Sequence, residues 1–176
     1  MPVFPLPQRP RHSYSTGGRR FGTPRTGGRR HAACDLVVAH GTDVYAVASG
    51  IVVRGPYHFH HGSDAIEVQH DQFLVRYCEI RAVRGIRAGV RVSEGQVIAR
   101  VQRMHRDSML HFEMYRGTAA GSLTQRNNPP YQRRADLIDP TPYLDRWRLL
   151  SEAPPSSRRP ADYACTGRGR SRMGWH

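Results

Sequence analysis

The strongest constraint on the fold is a run of short alternating apolar segments, each cut off by a turn signal, between residues 20 and 150. "TDVYAVASGIVV" alternates and breaks at Gly50, a strand–turn–strand pattern. "AIEVQHDQFLVRYCEI" reads as two strands about a polar turn at His70-Asp71-Gln72, and "AGVRVSEGQVIARV" as a hairpin turning at Ser93-Glu94-Gly95. "MLHFEMY" is one more strand. Short strands with turns this close together predict an all-β fold, a small antiparallel β-sandwich or open barrel. The one helical candidate is "PTPYLDRWRLL", where Asp139-Pro140 or Thr141-Pro142 can start a short helix, because proline suits a first turn.

The two ends differ in composition. Residues 1–19 are rich in Pro, Arg, Ser and Gly and read as a flexible arm that buries no core, leaving 20–150 as the folded domain. Residues 151–176 form a second basic stretch, read as a disordered or docking tail. The formal net charge is +13, and all 27 basic residues are arginines. Such a balance suits phosphates, nucleic acid or an anionic envelope, but no nucleic-acid-binding motif and no interleaved aromatics accompany it, so nucleic acid is not the expected partner. Cys34, Cys78 and Cys165 are too few and too widely spaced for a disulfide framework or a cysteine zinc motif. No apolar run has the length of a signal peptide or a membrane span, so synthesis in the cytoplasm without a leader of its own is expected.

Chemistry concentrates in histidines and carboxylates. "RRHAACD" places His31 and Asp35 four apart, roughly 13 Å along an extended chain, so both can reach one ion only if the segment bends, which Ala32-Ala33 are small enough to allow. Downstream, Met109, His111 and Glu113 share one face of a strand. His31, Asp35 and His111 make a plausible three-ligand zinc set, with a fourth position open as catalytic zinc requires.

From Phe21 to about Trp147 the chain resembles the lysostaphin-type (LytM-like) zinc endopeptidases, which cut peptide cross-links in bacterial cell walls. The matching stretches are "FGTPRTGGRRHAACDLVVAHGTDVYAVASGIVV", the "IEVQH…VRYCEI" hairpin, "AGVRVSEGQVIARV", "MLHFEMYRG" and "DLIDPTPYL", in the family's order. The resemblance implies an antiparallel β-structure with zinc in an open groove, ligated by His31, Asp35 and His111, and peptidoglycan as substrate. Departures accompany it. Met109 stands where the family's H-x-H strand has a catalytic helper histidine, and Glu79 stands where its Y-x-H strand has a second. Ala33 replaces the glycine of the first motif, and "QRMHRDS" replaces a glycine-rich loop.

Two roles suit Glu79: a general base beside the metal, as the glutamate of H-E-x-x-H peptidases is, or an orienting partner for a ligand histidine. Met109 moves no protons and is expected to pack or to line the groove. "YHFHHG" reads as a loop flanking the groove, from which His58, His60 or His61 could replace a lost histidine; His105 is a lesser candidate. His70 and His40 read as turn residues. Strand alternation points Cys34 and Cys78 away from the groove as small buried hydrophobes. Arg25, Arg29 and Arg30 lead into the metal motif, either as a solvated basic loop or as forks for substrate carboxylates.

Three functions compete on these residues. One is a zinc-dependent peptidoglycan endopeptidase that reaches the periplasm or cell wall by delivery through a phage tail or contractile secretion system. The second is a catalytically degenerate zinc-binding or cell-wall-binding part of such an assembly. The third, a lipoyl- or biotinyl-like carrier suggested by "AVASGIVV" and "GVRVSEGQVIA", fails because those carriers need a modifiable lysine and the chain has none.

Overall fold

A computed structural model describes residues 2–152; the proposed tail beyond Glu152 lies outside them. The described chain forms strands β1 (Cys34–Val37), β2 (Asp43–Tyr45), β3 (Gly50–His60), β4 (Ser63–His70), β5 (Leu74–Ala82), β6 (Arg91–Val92), β7 (Val97–Val101), β8 (Met109–Tyr115) and β9 (Leu137–Ile138), and helix α1 (Thr141–Arg146). All strand pairings are antiparallel. The main order is β1-β8-β5-β4-β3-β6; β7 pairs with both β5 and β2, and β9 with β8. The fold is the expected mostly β antiparallel architecture with little helix.

One face of the sheet carries the core. Leu36, Val52, Ile66, Val68, Val75, Tyr77, Ile80, Leu110, Phe112 and Met114 alternate inward and bury against Phe73, Leu144 and Trp147. Thr141–Arg146 follows Pro140 at its N-cap; Asp139 Oδ1 accepts the Thr141 amide at 2.8 Å, and Pro142 lies in the first turn. Gly50 opens β3 where the backbone is crowded; a Cβ there would lie 2.4 Å from the Gln69 carbonyl and 2.9 Å from His70 Nδ1. His70 itself is buried, with Nδ1 donating to the Ser49 carbonyl at 3.1 Å, a structural role.

Three expectations need correction. First, residues 1–19 are not a free arm. Val3, Phe4 and Leu6 are fully buried in the core; Val3 N–H donates to the Val47 carbonyl and Phe4 N–H to the Arg148 carbonyl. The Arg9 guanidinium lies 4.3 Å over the Phe4 ring and donates to the Leu144 and Trp147 carbonyls. Composition hid this, because the apolar residues alternate with prolines rather than with a strand or helix period. Second, "AGVRVSEGQVIARV" forms two strands that do not pair with each other: β6 joins β3, and β7 joins β2 and β5. Third, His58 and His60 lie in β3 rather than in a loop, and of the three histidines only His61 falls in the His61-Gly62 turn to β4.

The buried N-terminal segment makes a direct prediction. Phe4→Ala should lower unfolding free energy by about 3–5 kcal/mol, read by chemical denaturation, since it leaves a cavity in the core. A loss below about 0.5 kcal/mol would mean the segment is an arm after all.

Candidate metal centre

His31, Asp35 and His111 reach one point from two elements. His31 precedes β1, the chain bends at Ala33, and Asp35 follows inside the strand. That bend removes the extended-chain separation, and the register pairs Asp35 with His111 across β1 and β8. One ligand-type atom from each residue lies within 4.8 Å of the others. Asp35 Oδ1 is 3.1 Å from His31 Nε2 and 2.9 Å from His111 Nδ1, and the two ring nitrogens are 3.4 Å apart.

The far side of each ring fixes what the near side offers. His31 Nδ1 lies 2.9 Å from the Arg20 carbonyl, which can only accept, so Nδ1 carries the proton. His111 Nε2 lies 3.2 Å from Glu113 Oε1 and likewise donates. With the far-side protons so placed, the nitrogens left to serve as ligands are those facing Asp35 Oδ1, itself an acceptor. Three acceptors in contact fit a divalent cation, whose charge replaces the missing protons. Burial lowers the His111 pKa, but the Asp35 and Glu113 carboxylates outweigh it and hold the ring up at about 9. Burial likewise raises Asp35, but hydrogen bonds from His111 and His31 drive its carboxyl well below the ordinary range.

Glu113 is a site residue that motif reading passed over. It is fully buried, and both oxygens are engaged. Oε1 accepts from His111 and from Arg133 Nε at 2.9 Å; Oε2 accepts from Arg76 Nε at 2.9 Å, Arg76 Nη2 at 2.6 Å and the Tyr115 hydroxyl. Burial alone would raise this carboxyl, but Arg76 and Arg133 keep it ionised. Its place on the His111 face was visible in the sequence; Arg133, distant along the chain, was not.

Glu79 enters the cleft by a backbone irregularity. Ala65 pairs with Cys78 and Asp64 with Ile80, so Glu79 is the extra residue of a bulge, with φ of 61°. Bulges re-aim side chains, and here two consecutive residues escape alternation. Cys78 stands opposite His111 on the sheet's groove side, fully buried, rather than pointing away as expected. Cys34 does lie in the apolar core. Burial pushes the Cys34 thiol up to about 12 and the Cys78 thiol well above its usual value, so neither is a nucleophile. Glu79 Oε2 is buried with no hydrogen-bond partner among the described residues. Burial raises its pKa, His111 opposes the rise and Asp35 adds to it. The orienting role considered for Glu79 falls instead to Glu113 and the Arg20 carbonyl.

A cleft of about 430 Å³ opens over these groups, lined also by Arg25, Arg29, Phe59, His60, Met109 and Arg133. Met109 forms wall, as expected of a residue without a transferable proton. His60 borders the cleft but is exposed; His61 and His105 line a separate hollow with Met104.

The fold has known counterparts. Peptidase family M23 matches residues 29–124, and the chain belongs to that family. The catalytic domain of lysostaphin, an antimicrobial peptidase from Staphylococcus simulans, superposes with a TM-score of 0.56 at 20% identity, covering 73% of this chain and 90% of that one. LytU gives 0.55 at 21% identity over 76% of this chain and 89% of its own. In sequence, myeloid protein 1 of Gallus gallus is 35% identical over 92 residues, 49% of this chain; the match spans only 27% of that relative's length.

If Glu113 fixes the His111 tautomer, Glu113→Gln should weaken metal affinity by roughly 10–100-fold in chelator competition. Unchanged affinity in a folded variant would show that the ring needs no such partner.

Proposed function

We infer that the chain is a zinc-dependent endopeptidase acting on peptidoglycan, with His31, Asp35 and His111 as ligands and Glu79 as general base. The observation that carries this reading is the convergence of three acceptor atoms in a cleft that Glu79 also lines, with no hydrogen bond holding its buried Oε2. Zinc held there would supply Lewis-acid polarisation of a scissile carbonyl and acidify water. Glu79 lines the cleft and no hydrogen bond commits its carboxylate, so it can take a proton from attacking water. It can then return that proton to the leaving amine nitrogen, which would otherwise depart as an unstable amide anion. Glu113 holds the His111 ring still throughout, and Phe59, 5.7 Å from that ring between centroids, helps to keep water off the cleft floor.

The substrate assignment rests on family membership, and action at the periplasm or cell wall, after delivery by a phage tail or secretion assembly, belongs to the same proposal. Met109 favours the second reading, a zinc-binding structural or wall-binding protein without turnover, because it leaves one helper position with no proton carrier. Digestion of purified peptidoglycan with the metal-loaded protein separates the two. Cleavage is expected, with Glu79→Gln slower by about 10²–10⁴-fold at unchanged zinc content. Stoichiometric zinc without any cleavage would establish the degenerate reading, and full activity in Glu79→Gln would remove its role as base.

A further inference from the structure

The segment leading into His31 is a tight, hydrogen-bonded reversal. Gly22 N–H donates to the His31 carbonyl and His31 N–H to the Thr23 carbonyl, both at 2.8 Å, and Arg25 N–H closes the tip onto the Arg29 carbonyl at 2.8 Å. Gly27 and Gly28 make the turn with φ of 74° and 73°, where a side chain would be strained. Arg30 N–H donates to the Pro130 carbonyl at 2.9 Å, which ties the reversal to the chain on the cleft's other side. The backbone therefore fixes Arg25, Arg29 and Arg30 relative to the ligand His31, and all three line the cleft.

Their charges are not balanced there. Four arginines line the cleft against two carboxylates, Asp35 and Glu79. Arg133 is committed to the buried Glu113, and Arg25 Nη2 stands 3.6 Å from Asp35 Oδ2. Arg29 and Arg30 have no carboxylate partner among the described residues. Each gives one guanidinium nitrogen to a backbone carbonyl of its own loop: Arg29 Nε to Thr26 at 3.3 Å and Arg30 Nη1 to Gly22 at 3.1 Å. A divalent cation on Asp35 would add to the positive excess.

We propose that Arg29 and Arg30, backed by Arg25, form a carboxylate-binding rim that selects peptides bearing a free carboxylate near the bond to be cut. This deepens the hydrolase reading and rests on it for the word "cut", though not for the binding. A guanidinium fork matches a carboxylate in two hydrogen bonds, where a lone cationic point does not. Because the loop is already held by its own backbone bonds, little ordering opposes that contact. The excess charge also draws anionic peptides toward the cleft.

The test is calorimetric titration of the full chain, metal-loaded and metal-free, with two synthetic tetrapeptides that differ only in a side-chain carboxylate or its carboxamide. Wild type should bind the carboxylate peptide roughly ten-fold more tightly, exposure holding the gain to that order. Arg29→Gln with Arg30→Gln should erase the preference. Arg87→Gln with Arg91→Gln, exposed positions that do not line the cleft, removes the same net charge and should keep it. Equal binding of the two peptides by wild type, or a preference surviving in the Arg29/Arg30 variant, overturns the rim. Loss of preference in the Arg87/Arg91 variant overturns it too, since net charge alone would then explain the effect. Preference without cleavage of either peptide leaves the rim standing and sinks the hydrolase; cleavage of both with equal binding does the reverse.

Discussion

Everything about the cleft depends on two imidazole nitrogens and a carboxylate oxygen that are made to face one another as acceptors. Left to themselves they would repel or rearrange. They are prevented because the opposite nitrogen of each ring is already spent, on the Arg20 carbonyl for His31 and on Glu113 for His111. The Asp35 and Glu113 carboxylates on either side of the His111 ring raise its pKa, so the position favours positive charge. A divalent ion bound by all three would resolve the repulsion, which is why the constellation fits a metal better than it fits a structural ion pair.

The sheet supplies the rigidity this demands. Cross-strand register places Glu67, Arg76 and Glu113 in one row across β4, β5 and β8, and Tyr57 reaches the same row by donating to Glu67 at 2.6 Å. Arg76 is nearly fully buried, a position tolerable for a guanidinium only when it is paired and hydrogen-bonded. Removing one partner would strand the other, so the row is held together by the cost of breaking it. His111 inherits that rigidity through Glu113, and the bulge that aims Glu79 interrupts the same strand one residue after the Cys78–His111 pair.

Sequence reading recovered what is periodic or ordered along the chain. The strands, the short helix and the spacing of His31, Asp35 and His111 were legible because alternation and motif order are local properties. It failed where geometry overrides period. A single left-handed residue, Glu79, put Cys78 on the unexpected face, and no side-chain pattern announces a bulge. Val3 and Phe4 were missed because prolines flank the pair and their partners, Val47 and Arg148, lie far downstream. Arg133 was invisible for the same reason: its contact with Glu113 exists only after β8 and the following loop have folded together. The structure gives Met109 and Glu79 places of their own: both line the cleft, and Glu79 carries an unpartnered carboxylate oxygen.

The central claim is that one divalent ion resolves the contact among these three residues. Anomalous X-ray scattering from crystals of the zinc-loaded protein, recorded on both sides of the zinc absorption edge, tests it most directly. The account predicts one strong zinc peak within coordination distance, about 2.0–2.2 Å, of His31 Nε2, Asp35 Oδ1 and His111 Nδ1 together. Zinc bound elsewhere, with the Asp35–His111 hydrogen bond intact at this position, would contradict it.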